Sequence, residues 1–190
     1  MNHLQQKKLH QLYLFIKAHG YNVSMDAMAQ GINVTPKTLF NRYQNKENME
    51  NTVQRHWYNL FWEHFQEKQK QCNNAIEQLI ILACDIKASA TTEKIFFDKA
   101  LNAPNQWDNN FKSIFLTNTQ SIIAEGISKN LFLKEHLKSN FGNFLLFNFC
   151  TLLLQTHFKA ELIQFLFSPL LTDYGKVIFN EINIESFING

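Results

Sequence analysis

The chain has 190 residues, 45% of them hydrophobic, with 18 Phe, only 6 Gly and 3 Pro, and a formal net charge of +2. This length and composition suffice for a buried core, and so few turn-forming residues favour helices over sheets, whose strands need frequent turns. The charge is unevenly distributed: residues 1–46 carry six Lys or Arg and one acid, whereas residues 47–190 are net acidic. A basic first quarter is typical of a polyanion-binding surface, or is simply a solvated face.

Several kinds of site and location are not encoded. The three cysteines are far apart and lack CxxC spacing, so we expect neither a disulfide framework nor a zinc site. A Gly-rich phosphate loop, a nucleophile motif and a metal-ligand cluster are all missing, so we expect no enzyme, no metal and no cofactor. The first residues lack the apolar core of a signal peptide, and polar residues interrupt the most hydrophobic stretch, 141–155. We therefore expect a cytoplasmic protein without a membrane span.

The first two predicted helices are short and amphipathic. An apolar stripe predicts a first helix that ends at Gly20, because glycine suits the left-handed position after a helix. Ser24 is the predicted N-cap of a second helix that continues to Ile32. Asn33 follows it, and asparagine tolerates a left-handed turn better than any residue except glycine. The chain is thus predicted to reverse between residues 32 and 35.

A third helix begins with Thr35 as its N-cap and Pro36 at its first position, where a missing N–H does no harm. Helical spacing predicts an apolar core side and a polar outer side. The core side comprises Pro36, Leu39, Phe40 and Tyr43, and the outer side Lys37, Thr38, Asn41 and Arg42. Two short helices joined by a tight turn, the second with a basic polar face, fit the description of a helix-turn-helix.

The rest of the chain is also predicted to be helical. Asn45 is the predicted N-cap of a long fourth helix with Lys46 in its first turn. Asn74 with Glu77 forms a second capping pair, and Ser168 is predicted to cap a helix with Pro169 at its first position. The predicted helices span roughly 46–70, 74–89, 92–102, 105–129, 134–158 and 169–186.

Four segments of the first quarter resemble the signature of the TetR/AcrR regulator family. They are residues 24–29 (SMDAMA), 33–35 (NVT), 38–43 (TLFNRY) and 45–49 (NKENM), in the family's order and spacing. The resemblance implies an all-α fold with a three-helix helix-turn-helix DNA-binding domain at residues 1–46. A long helix would fuse it to a helical ligand-binding and dimerisation domain at residues 47–190. The family further implies a homodimer held by its last two long helices, here 141–157 and the segment around Tyr174, Val177, Ile178 and Glu181.

The resemblance also assigns roles on double-stranded DNA. The predicted DNA-binding residues are Ser24, Thr35, Pro36, Lys37, Thr38, Phe40, Asn41, Arg42, Tyr43 and Lys46. Lys46 corresponds to the family's phosphate-binding lysine, and Lys37 is predicted to contact either a phosphate or a guanine edge. Phe40 replaces a tyrosine whose hydroxyl reaches a phosphate, so one backbone contact is expected to be lost. Tyr43 either contacts DNA or only packs.

The family places a small-molecule pocket between the fourth helix and the helices after it, a region that is rich in aromatic residues here. The predicted ligand-binding residues are Phe61, His64, Phe65, Phe96, Phe97, Trp107, Phe111, Phe115 and Asn118, with His157 as a further polar group. These aromatic rings line a cavity for a hydrophobic effector, or they fill a helical core.

Two functions follow. The first is a transcription regulator, a repressor released from an inverted-repeat operator by a small hydrophobic or aromatic ligand. The alternative is a small-molecule or lipid-binding helical protein whose helix-turn-helix no longer reads DNA.

Overall fold

The computed structural model describes residues 3–102, 109–137 and 159–188, without the side chains of 101–102, 109–114 and 136–137. Almost all of the described chain is helical, which confirms the predicted all-α fold class. In chain order the helices are α1 (His3–His19), α2 (Met25–Gly31), α3 (Pro36–Tyr43), α4 (Lys46–Gln69), α5 (Ala75–Thr92), α6 (Lys94–Asn102), α7 (Asn109–Ser128), α8 (Ala160–Phe167), α9 (Asp173–Glu181) and α10 (Ile184–Ile188). Two 3-10 turns, Lys134–Leu137 and Ser168–Leu170, complete the described elements.

The first compact unit comprises the described residues up to Glu63 and those from Glu93 to the end of α6. Its core is built from the apolar stripe of α1 and from inward residues of α2, α3, α4 and α6, including Leu12, Ile16, Met28, Leu39, Met49, Val53, Trp57 and Phe96. Phe96 is fully buried, and its ring centroid lies 5.1 Å from that of Tyr13 and 5.9 Å from that of Trp57. α6 therefore contributes to the same core as the first three helices.

The second compact unit comprises residues 64–92 and the described residues from α7 onward. Gln78 of α5 accepts a hydrogen bond from Gln69 of α4 and donates one to Glu125 of α7. Gly126 packs closely, since a Cβ added there would meet both Ala75 and the Phe132 ring. These contacts pack the start of α5 against the C-terminal part of α7.

α4 is one continuous helix of 24 residues that begins in the first unit and ends in the second. Its bounds agree with the helix predicted at residues 46–70. The first compact unit extends to Glu63 and also includes α6, and the predicted domain division at residue 46 stays a prediction.

The prediction of one helix over 169–186 is wrong. Ser168 has helical φ and ψ (−51° and −41°) and continues from α8 into a 3-10 turn that contains Pro169, so it does not begin a new helix. Leu171 is extended and forms an isolated antiparallel bridge with Phe132. The effective N-cap is Thr172, whose hydroxyl accepts from the Gly175 N–H at 2.9 Å. Of the helix predicted at 134–158, residues 134–137 form a 3-10 turn and the rest lies outside the described residues.

Candidate nucleic-acid interface

The turn between α2 and α3 is held by backbone geometry and by caps. Ser24 caps α2 by accepting from the Ala27 N–H at 3.2 Å. Asn33 has a positive φ of 54°, as predicted, and the Val34 N–H then bonds back to the Ala29 carbonyl at 3.0 Å. Lys8 of α1 donates to the Ile32 carbonyl at 2.7 Å, a contact that sequence reasoning missed. Together these bonds fix the direction in which the chain enters α3.

The start of α3 follows the prediction. The Thr35 hydroxyl accepts from the Thr38 N–H at 3.1 Å, and Pro36 occupies the first turn. The two threonine hydroxyls are also 2.8 Å apart and hydrogen-bonded to each other. The cap thus orders both threonine side chains at the exposed N-terminal end of α3.

Replacing Thr35 by Ala is expected to lower the free energy of unfolding by about 1 kcal/mol, because the Thr38 N–H loses its capping acceptor. Thr35→Ser keeps the hydroxyl and should cost only a few tenths of that amount. Urea denaturation of the three proteins measures the difference. Equal losses for the Ala and Ser variants would contradict the capping role.

The two faces of α3 differ from the prediction at two positions. Leu39 and Tyr43 are buried, but Phe40 is 59% exposed and Pro36 is exposed as well. Helical spacing would allow Leu39, Phe40 and Tyr43 to share one face, so the exposure of Phe40 shows that the core covers only the side of α3 that carries Leu39 and Tyr43. The exposed face therefore comprises Pro36, Lys37, Thr38, Phe40, Asn41 and Arg42. Burial raises the pKa of Tyr43, so its hydroxyl stays protonated on the core side.

Lys46 lies at the N-terminal end of α4 beside a shared carboxylate. Asn45 caps this helix by accepting from the Asn48 N–H at 2.8 Å, as predicted. The Lys46 ammonium is 3.7 Å from Glu50, and Lys99 of α6 bonds to the other oxygen of Glu50 at 2.5 Å. The Glu50 carboxylate thus forms ion pairs with two lysines, Lys46 and Lys99.

Glu93 joins three elements of the first unit through its side chain. Its carboxylate accepts from the Tyr13 hydroxyl, from the Lys17 ammonium at 2.9 Å and from the Trp57 indole N–H at 2.6 Å. We call these four residues the Glu93 cluster. It ties the residue before α6 to α1 and α4. No local sequence signal marks it, since Tyr13 and Glu93 are 80 positions apart.

The predicted ligand-binding residues are distributed over both units. Phe61, Phe96 and Phe97 belong to the first unit, where Phe96 and Phe97 are buried against Trp57. The second unit contains His64, Phe65, Phe115 and Asn118, of which His64 is exposed and Phe65 and Phe115 are buried. The exposed His64 therefore does not contribute to the buried interior of that unit. Trp107, the Phe111 side chain and His157 lie outside the described residues.

Two buried polar groups of the second unit were missed. Asp85 is 4% exposed; its Oδ1 pairs with Lys68 at 2.6 Å, while Oδ2 has no hydrogen-bond partner among the described residues. Thr119 is 1% exposed, and no described residue bonds to its hydroxyl. Asp85 lies on α5 and Thr119 on α7, two helices that the hydrogen bond from Gln78 to Glu125 joins. Spacing rules do not single out a lone Asp or Thr on an apolar helix face.

Neither a metal-binding cluster nor a reactive thiol is found among the described residues. No group of His, Cys, Asp and Glu among them is arranged to hold a metal ion. Burial raises the pKa of the Cys72 thiol to about 11 and that of Cys84 to about 12, so neither is a thiolate near neutral pH. Within the described ranges, no helix has both the length and the apolarity that a membrane crossing requires.

The fold is similar to those of solved structures that include the following two. The ketosteroid transcriptional regulator KstR2 of Mycobacterium tuberculosis aligns with a TM-score of 0.56 and 11% identity, over 91% of this chain and 97% of that chain. RolR, determined without ligand, aligns with a TM-score of 0.63 and 12% identity, over 88% and 98%. No protein-family model and no curated protein matches the sequence. At these identities the likeness establishes the fold.

Proposed function

We infer from its fold, which is that of the TetR-family transcription regulators, that this chain is a DNA-binding transcription regulator. The observation that carries the inference is the exposed face of α3, where Lys37, Thr38, Asn41 and Arg42 form a surface of hydrogen-bonding groups and two cations. From Ala27 to Lys46 the chain contains no acidic residue, so nothing on this surface repels a phosphate backbone.

In the proposed complex, α3 enters the major groove. Thr35 and Asn45 cap the starts of α3 and α4, and the Lys46 ammonium lies at the start of α4. Backbone N–H groups at a helix start bind phosphate readily. Lys37, Asn41 and Arg42 have the length and the donors to reach base edges or phosphates. Phosphate contacts then set the position of α3, and its central side chains select the sequence.

Footprinting on the DNA upstream of the protein's own gene tests the proposal. A dimeric regulator should protect two half-sites of an inverted repeat, with centres about one helical turn or a multiple apart. Protection should disappear for the double variant Lys37→Gln, Arg42→Gln. Absence of a footprint for the wild-type protein at low salt would contradict sequence-specific binding and favour a small-molecule-binding protein.

Glu50→Gln is expected to strengthen DNA binding by about threefold, because Lys46 loses the carboxylate that competes with a phosphate. Glu67→Gln makes the same change of charge at an exposed glutamate of the second unit that pairs with Lys70, and should have little effect. Fluorescence anisotropy with an operator duplex measures both affinities. Unchanged or weaker binding by Glu50→Gln would show that Glu50 does not restrain Lys46.

We propose that α9 contributes to a homodimer interface. Gly175 and Phe179 pack inward, whereas Tyr174 and Val177 are 53% and 56% exposed on the other side of the helix. With Ile178 and Glu181 they form an i, i+3, i+4, i+7 stripe that would otherwise leave apolar surface in water. The other predicted interface helix, 141–157, lies outside the described residues.

Val177→Asp is expected to convert the dimer largely to monomer at micromolar concentration, since it places a charge at the centre of this stripe. Lys176→Gln makes the same change of charge one position away, outside the stripe, and should leave the dimer intact. Sedimentation velocity distinguishes the two. A Val177→Asp protein that still sediments as a dimer would exclude α9 from the interface.

We further propose that the second unit binds the effector and that binding releases the operator. Asp85 Oδ2 and the Thr119 hydroxyl are buried and have no hydrogen-bond partner among the described residues, and the second unit also buries the aromatic rings of Phe65 and Phe115. Such surroundings suit a small apolar or aromatic molecule with one hydrogen-bonding group. Aromatic compounds that raise the melting temperature of the wild-type protein should lose that effect on Thr119→Val. Equal stabilisation of both proteins would place the ligand elsewhere.

A further inference from the structure

Phe40 is the one large apolar side chain of α2 and α3 that is mostly exposed, at 59%. The inward positions of α3 are already occupied by Leu39 and Tyr43, so the core does not use this ring. Exposing a phenyl ring to water forgoes the hydrophobic stabilisation that burial would give. A ring in this position is therefore available to a partner.

The surroundings of Phe40 restrict the kind of partner. Lys37 lies one helical turn before it on the same side of α3, and the next two exposed positions around the helix are Asn41 and Arg42. A single ring among cations and amides lacks the contiguous apolar area typical of a protein–protein interface core. The same composition matches the major groove, where phosphates flank base edges.

One base edge offers an apolar group there. Thymine alone among the four bases presents a methyl group, at C5, to the major groove, and phenylalanine is one of the side chains that contact it. The phenyl ring has no hydroxyl with which to bind a phosphate. Its exposed part can still remove a methyl group from water.

We propose that Phe40 selects thymine in each operator half-site by packing against the 5-methyl group, an inference that rests on the proposed DNA-binding function. Lys37 and Asn41 then hydrogen-bond to neighbouring base edges or phosphates. Phe40 is thus a specificity-determining residue that acts through an apolar contact with a base.

Deoxyuridine provides the test, because it differs from thymidine only in lacking the methyl group. Each thymine of the footprinted half-site is replaced in turn by deoxyuridine, and the dissociation constants of the wild-type, Phe40→Ala and Phe40→Tyr proteins are measured by anisotropy. Deoxyuridine at one position, that of the thymine packed against Phe40, should weaken wild-type binding by about fourfold per half-site. This is the effect expected when one buried methyl group is lost.

The variants identify which side chain reads that methyl group. Phe40→Ala should bind thymine and deoxyuridine duplexes equally, whereas Phe40→Tyr, which keeps the ring, should retain the discrimination. Specific binding in which no deoxyuridine matters, or in which Phe40→Ala discriminates as the wild type does, would overturn the inference alone. A wild-type protein without preference for any DNA sequence would overturn the proposed function and this inference with it.

Discussion

Replacing Glu93 by Ala is expected to lower the free energy of unfolding by about 3 kcal/mol. The Glu93 side chain is only 16% exposed, and it is the acceptor for the Tyr13 hydroxyl and the Trp57 indole N–H. Leaving a buried hydrogen-bond donor without its acceptor lowers stability by about 1–3 kcal/mol. The Ala variant removes the acceptor of two such donors, the Tyr13 hydroxyl and the Trp57 N–H. The partly exposed Lys17 adds little, because water replaces the carboxylate at its ammonium group.

Urea denaturation measures this loss, with Glu93→Gln as the matched variant. Gln keeps one oxygen acceptor and removes the charge, so it should cost less than half as much as Ala. An Ala variant as stable as the wild type would show that the Glu93 cluster does not hold α1, α4 and the start of α6 together.

The pH dependence of the same proteins gives a second readout. Burial raises the pKa of Glu93, but the hydrogen bonds from Tyr13, Lys17 and Trp57 outweigh it and hold the pKa below 4.5. The folded-state pKa of Glu93 lies below its unfolded-state pKa. The carboxylate therefore stabilises the fold fully at any pH above the unfolded-state pKa. The contribution is lost as the pH falls through the folded-state pKa. Glu93→Gln should therefore lose less stability than the wild type on acidification below pH 4.5.

Lys46→Gln is expected to weaken operator binding by about tenfold for each phosphate contact that is lost. Each lost contact should also reduce the slope of log K against log salt by about one unit, since one fewer counterion is released. Lys46 is suited to this role because it lies in the first turn of α4 and is held only loosely by Glu50, at 3.7 Å.

Lys70→Gln is the matched control for Lys46. Lys70 is an exposed lysine of the second unit that pairs with Glu67, so its loss changes the net charge equally without removing a proposed contact. Its salt slope should equal that of the wild type. If the two variants had the same slope, general charge and not a specific phosphate contact would explain any effect of Lys46→Gln.

The local structure of the first unit could be predicted because it depends on neighbouring residues. Ser24, Thr35 and Asn45 each cap a helix through a backbone N–H three residues later, and Asn33 takes the left-handed turn through its own φ. Such features need only the right residue at the right spacing. The position of Phe40 was missed because four apolar residues on a two-turn helix do not reveal how much of that helix the core covers.

Contacts between distant segments could not be predicted in this way. The Glu93 cluster, the sharing of Glu50 by Lys46 and Lys99, and the burial of Asp85 depend on how whole helices pack. Ser168 and Pro169 show a related limit. The pair has the composition of a helix start, but Ser168 continues the preceding helix. Leu171 is then held in the bridge to Phe132, and Thr172 is the N-cap of α9.

The proposed role of the exposed face of α3 is to read a DNA sequence. Equilibrium binding of the wild-type protein to the footprinted operator and to a scrambled duplex of equal length and composition, at several salt concentrations, measures this reading. We expect an operator preference of at least about a thousandfold near physiological salt, with log K falling linearly against log salt for both duplexes. Equal affinity for the two duplexes at every salt concentration would contradict it.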